Sequence, residues 1–147
     1  MNFELNESQL LLQATVRQFA RNEVAPRVSE FWREKKVPYD LIAKAGQLGL
    51  MGLTVPEKYG GSGAGTVCYA IALEEMNVVD HVLGSMIQPL ALVTTLLVDY
   101  GNEEQKQQWA VPVAQGKMVG SFALTEPGGG SDAFGAMTTT AVLENGE

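Results

Sequence analysis

The residues with the most chemistry to offer are Phe122-Ala123-Leu124-Thr125-Glu126-Pro127-Gly128-Gly129-Gly130-Ser131-Asp132. A short apolar stretch breaks there at a proline into three glycines, a serine and an aspartate. Glycines leave their backbone N–H groups unshielded by side chains. Successive free amides form a concavity suited to an anionic or electron-rich partner, and the hydroxyls of Thr125 and Ser131 add donors that rotate to suit. No lysine follows the glycines, as a P-loop requires, and no helical pattern follows, as a dinucleotide fingerprint requires. Glycine runs also serve as plain turns or links. On the residues alone both readings stand.

Other candidates offer less. Glu74 and Glu75 are neighbours on a helical stretch, so they do not face each other and cannot share a proton; a surface pair is expected. His81 is the one histidine. Without a second His or a Cys nearby it gives no metal-ligand set, and a capping or packing role is expected. Cys68 is the lone cysteine; lacking a neighbouring base, it reads as a small packing residue. Arg33, Lys35 and Lys36 read as a solvated helix end that suits the negative pole of the helix dipole, with phosphate binding as the lesser alternative.

The elements that must position the glycine stretch are mostly helices. Asn6 with Gln9 makes a capping-box start, and Leu12, Val16, Phe19 and Ala20 recur at helical spacing. The pattern reaches Pro26 and resumes through Phe31 and Trp32. A second helix is expected from Tyr39 to Leu48, stopped by Gly49 as C-cap. Leu50–Val55 could pair as a strand. Gly60, Gly61, Gly63 and Gly65 then make a loop, and Thr66 would cap a third helix through Asn77. Ser85–Tyr100 is apolar nearly all round, so it is expected at the centre of the bundle. Its polar exceptions, Ser85, Gln88, Thr94 and Thr95, are what a core helix lining a ligand cavity would carry, or else groups that satisfy local backbone. Asn102 with Gln105 caps a fifth helix, on which Trp109 and Val113 form the apolar seam. From Lys117 the period changes. Met118–Leu124 and the β-branched Met137–Leu143 read as strands, and Asn145-Gly146 is a hairpin turn. With no return strand after it, the sequence reads as cut short or as completed by a partner.

Three stretches together resemble the acyl-CoA dehydrogenase family. Thr125-Glu126-Pro127-Gly128-Gly129-Gly130-Ser131-Asp132 resembles its T-E-P-x-A-G-S-D signature, with Gly129 in place of the usual alanine. Val55–Gly63 is similar to its P-E-x-Y-G-G-x-G loop, and Asp99–Lys106 to its G-(S/N)-E-E-Q-K helix start. The likeness runs from about Phe3 to Glu147. It implies a mainly α fold: an α-helical bundle domain over residues 1–116, followed at 117–147 by the first strands of a β-barrel-like middle domain, incomplete here. The activity implied is α,β-dehydrogenation of an acyl-CoA thioester, with FAD taking the hydride. The cofactor-binding residues implied are Phe122, Leu124, Thr125, Gly130 and Ser131. Ser131 would also touch the CoA portion, and Ser85, Gln88 and Leu92 would line the acyl pocket. No acidic residue matches the family's catalytic base, which is expected beyond Glu147; this stretch alone should not turn over substrate. A homo-oligomer, dimer or tetramer, and an electron-transfer flavoprotein as acceptor are implied for a longer parent. The alternatives are a fragment of an acyl-CoA oxidase-like flavoenzyme and a non-catalytic helical binding or assembly module.

Composition sets the outer bounds. The chain has 147 residues, 46% hydrophobic and 18% charged, enough for a sizeable core. Ten Lys and Arg against 17 Asp and Glu give a net charge of -7, which argues against nucleic acid as a partner. The single cysteine excludes an internal disulfide and makes a reducing compartment the default. The first residues lack a basic and then apolar leader, and the run Pro89–Val98 is short for a bilayer, so a cytoplasmic protein without membrane insertion is expected.

Overall fold

The computed structural model describes residues 4–144, so the Asn145-Gly146 turn lies outside the described residues. Asn6 opens α1 (Glu7–Phe19) with the expected capping box: its side chain accepts from the Gln9 amide, and the Gln9 side chain accepts from the Asn6 amide. The helix does not break at Pro26. It loosens into a π turn over Ala20–Val24, tightens into a 3-10 turn over Ala25–Arg27 and continues as α2 (Val28–Glu34). Pro38 precedes α3 (Tyr39–Gln47), and Gly49, at φ 76°, ends it in the left-handed conformation that favours glycine.

Leu50–Val55 is not a strand. Leu50–Gly52 is a 3-10 turn, and Leu50, Met51, Leu53 and Val55 all point into the core. Leu50, Met51, Gly52 and Leu53 are buried one after another, without the alternation between two faces that a one-sided strand shows. The glycine loop after it includes a 3-10 turn, Glu57–Tyr59. Helix α4 (Gly65–Asn77) starts a little before Thr66, which therefore does not cap it.

Helix α5 (His81–Tyr100) also starts earlier than expected, because the Asp80 carboxylate accepts from the Val82 amide and caps it. At 20 residues it is long and apolar enough, by length and composition, to cross a membrane. Leu83, Ile87, Ala91 and Thr94 are buried, whereas Ser85, Gln88, Leu92 and Leu96 are exposed. The helix thus has a core face and an open face; it is not buried all round. Thr94 donates to the Ala91 carbonyl, the local satisfaction expected of it. The last helical stretch runs through α6 (Glu103–Gln105), a π turn at Lys106–Ala110 and α7 (Val111–Ala114).

The main core packs α1 against α4 and α4 against α5, with Val16, Phe19, Leu41, Ile42, Met76, Leu83 and Ile87 at its centre. Cys68 is buried, as expected of a packing residue. His81 is exposed, with its ring centroid 6.0 Å from that of Trp32.

Glu75 is not a surface residue. It is 8% exposed, and Arg17 grips it with two hydrogen bonds, Nε to Oε2 at 2.8 Å and Nη2 to Oε1 at 2.5 Å. This fork holds the Glu75 carboxyl below its ordinary 4.5 and raises the arginine, and the bidentate geometry ties α1 to α4. The unfolded chain binds the proton first, so the pair stabilises above pH 4.5 and its contribution disappears as pH falls through the folded value. Denaturation followed against pH is expected to show stability falling on acidification, with a shallower fall in Glu75→Gln. An unchanged slope in that variant would assign the acid sensitivity elsewhere.

Candidate functional site

After α7 the chain turns at Gly116 and runs back along the open face of α5. Lys117 and Met118 both donate to the Pro112 carbonyl, at 2.9 and 3.2 Å, which fixes the exit direction. Gly120 then rides directly on α5: a Cβ placed there would lie 3.0 Å from Val93 Cγ1. Only a residue without a side chain on that side lets the backbone come so close.

The approach creates a groove of about 350 Å³ lined by Met86, Gln88 and Leu92 of α5 and by Val119, Gly120, Ser121 and Phe122. Of the expected site residues it brings Gln88, Leu92 and Phe122 together. Ser85 is exposed one turn before Gln88 but does not line the groove. Leu124 and Thr125 are exposed on the continuation of the same stretch, and Gly130 and Ser131 lie exposed beyond the turn. The groove is mostly apolar, with the Gln88 amide and the Ser121 hydroxyl as its polar side-chain groups and no ionisable group in its lining. Sequence reasoning missed Met86, Val119, Gly120 and Ser121. Met86 is partly buried against the main core and also borders the groove, and its spacing of two from Gln88 gave no sign of a shared face.

Neither Met118–Leu124 nor Met137–Leu143 forms a strand. Among the described residues the one bridge is antiparallel, Glu126 with Gly129. Strand character in a sequence becomes a strand only when a second segment supplies the ladder hydrogen bonds, and neither stretch lies along a partner.

The glycine run itself is ordered as a tight turn. Glu126 and Gly129 exchange two backbone hydrogen bonds, each 3.1 Å. A second turn follows, where Asp132 accepts from the Gly135 amide through its side chain and from the Ala136 amide through its carbonyl. Gly129 does not loosen the loop. Its α-carbon faces Ala136 so closely that an added Cβ would sit 2.6 Å from the Ala136 Cβ, so the glycine is what lets the two turns close on each other. At Gly128 and Gly130 an added Cβ would meet nothing within 4 Å. Those two glycines border open space, and the amides of Gly130 and Ser131 make no backbone hydrogen bond among the described residues.

Glu126 is the charged residue of this loop that the sequence did not single out. Its Oε2 accepts from the Thr138 amide at 2.7 Å and the Thr138 hydroxyl at 2.6 Å, and its Oε1 from the Thr139 amide at 2.8 Å. These donors, the Thr138 hydroxyl first, hold the carboxyl down at about 2.

Comparison with known proteins identifies the helical part of the chain. Residues 6–117 match the family model described as acyl-CoA dehydrogenase, N-terminal domain. A probable acyl-CoA dehydrogenase of Bacillus subtilis (strain 168), YngJ, is 42% identical over 148 residues, covering 100% of this chain and 38% of that protein. The short-chain specific acyl-CoA dehydrogenase of Clostridium acetobutylicum is 40% identical over 145 residues, covering 98% of this chain and 38% of its own length. A glutaryl-CoA dehydrogenase from Mycobacterium smegmatis, solved in complex with FADH2, matches with a TM-score of 0.84 at 32% identity, over 89% of this chain and 34% of that one. The chain thus spans 38% of the length of these two curated relatives. Its helical core and the family match over residues 6–117 place it in one group: the chain belongs to the acyl-CoA dehydrogenase family.

Proposed function

We propose that this chain forms the substrate- and flavin-contacting platform of an enzyme that dehydrogenates an acyl-CoA thioester between its α and β carbons. The observation that carries the reading is the groove, in which α5 supplies Gln88 and Leu92 and the glycine-loop stretch supplies Phe122. An acyl chain laid there would be desolvated by Met86, Leu92, Val119 and Phe122, with Gln88 as the one α5 side chain able to hydrogen-bond it.

The residues also fit an FAD. Gly128 and Gly130 border open space, the Gly130 and Ser131 amides are available as donors, and Thr125 and Ser131 are exposed. In this reading Phe122, Leu124 and Thr125 border the flavin ring, while Gly130 and Ser131 donate to its pyrophosphate, Ser131 reaching the CoA portion as well. FAD bound there supplies the two-electron acceptor for the β-hydride. The side chains of Phe122 and Leu92 exclude water from the reacting carbons, and the fixed donors need no reorganisation as charge develops. Because the groove carries no carboxylate, the base that takes the α-proton belongs, in this proposal, to sequence outside these 147 residues. Residues 117–147 are then the start of a β middle domain. A homo-oligomer and an electron-transfer flavoprotein as acceptor are part of the same proposal for the whole enzyme.

The direct test is an absorbance spectrum of the purified chain after incubation with FAD and removal of the excess. A stoichiometric flavin band travelling with the protein is expected. A colourless protein would show that these residues do not hold the ring unaided.

A further inference from the structure

The hydrogen bonds of Glu126 do more than satisfy a carboxylate. Its backbone closes the turn with Gly129, and its side chain reaches 12 and 13 residues along the chain to Thr138 and Thr139. One residue therefore fixes both ends of the loop 127–137. Within that loop the two turns Glu126–Gly129 and Asp132–Ala136 are closed by their own bonds, and Gly130 and Ser131 lie between them. The direction of the Gly130 and Ser131 amides is set by how these turns sit on each other. The tight approach of Gly129 to Ala136 leaves little freedom there.

We propose that Glu126 is the positioning residue of the ligand loop: its carboxylate staples Thr138 and Thr139 beneath the glycine turn and thereby presents the Gly130 and Ser131 amides to the anionic part of the ligand. The proposal rests on the flavin reading above for the identity of that ligand. The three donors all point at an ionised acceptor, so the staple stays in place throughout the neutral range; the carboxyl titrates at about 2. A glutamine side chain fills the same space but turns an N–H₂ group toward at least one of the three donors, so it cannot replace the acceptor.

The test compares the 147-residue chain with Glu126→Gln and Thr138→Val in two measurements. The first is amide hydrogen exchange at Gly129, Thr138 and Thr139; the second is FAD affinity by titration of the absorbance band. Glu126→Gln is expected to speed exchange at all three amides and to weaken FAD binding about tenfold, the effect of losing one charge-assisted hydrogen bond. Thr138→Val removes the hydroxyl donor alone and is expected to weaken binding about threefold. The thermal midpoint of the helical core should stay where it is, which separates positioning from general destabilisation. Wild-type FAD affinity in Glu126→Gln overturns the proposal, and so does unchanged exchange at Gly129. If the wild-type chain itself binds no FAD, these residues do not hold the flavin unaided and the affinity comparison is void. Exchange then decides the staple by itself, upheld if Gly129 is deprotected in Glu126→Gln and overturned if it is not.

Discussion

Replacing Gly46 by alanine is expected to cost about 3 kcal/mol of stability, the upper end for forcing atoms into a packed interior. In an exposed helix the same change would gain about 1 kcal/mol, because glycine is a poor helix former. The sign reverses here for a steric reason. Gly46 is the next-to-last residue of α3, and a Cβ on it would lie 2.3 Å from the Gln115 carbonyl oxygen and 2.6 Å from the Gly116 α-carbon. Those are backbone atoms, so no side chain can rotate away. Gly116, at φ 68°, presses back with its own α-carbon, and the chain then enters the groove through Met118 and Val119. The substitution should therefore both destabilise the chain and shift the segment that carries Phe122. Urea denaturation would show it as a lower midpoint at unchanged slope. Gly49→Ala is the control: its φ of 76° is strained for alanine, but nothing lies within 4 Å, so a loss of only about 1 kcal/mol is expected. A Gly46→Ala chain as stable as the wild type would mean that α3 and the end of α7 do not touch as described.

What was legible in the sequence follows the range of the interactions involved. The capping boxes at Asn6–Gln9 and Asn102–Gln105 both form as expected, because each is closed within three residues and needs nothing from the rest of the fold. The stop at Gly49 is equally local. Trp109, expected in the core, is 39% exposed. It sits in a π turn, where the extra residue shifts the phase of the helix face, and no local pattern announces that shift. Glu75 was misread because its partner is 58 residues away, so adjacency to Glu74 was the only visible cue. The resemblance pointed to the family and, of the residues lining the groove, to Gln88, Leu92 and Phe122. It did not tell that Ser85 stops short of the groove, or that Glu126 ties the glycine turn to Thr138 and Thr139. Both facts depend on how segments distant in sequence come to lie together, which residue identity does not specify.

Helix α5 offers the sharpest separation of scaffold from site, because two of its aliphatic residues, five apart, lie on different faces. Ile87 is 1% exposed and belongs to the main core; Leu92 is 42% exposed and lines the groove. Ile87→Ala removes buried methyl groups and leaves a cavity that rigid neighbours cannot fill, so a loss of about 3 kcal/mol is expected. Leu92→Ala gives up only partial burial and gains a better helix former, so a change within about 1 kcal/mol is expected. Ligand binding should rank the two in the opposite order. If the groove takes the acyl chain, Leu92→Ala loses the burial of its side chain against the ligand, which corresponds to about a tenfold weaker affinity for an acyl-CoA. Ile87→Ala, measured well below its unfolding transition, should bind nearly as the wild type does, because its side chain points away. The pair decides the matter in one experiment: chemical denaturation and acyl-CoA titration of both variants. Equal losses in stability would mean that α5 is buried on all sides, as its composition alone suggested. An unchanged affinity in Leu92→Ala would remove the acyl chain from this groove and leave Phe122 and Gln88 facing some other ligand.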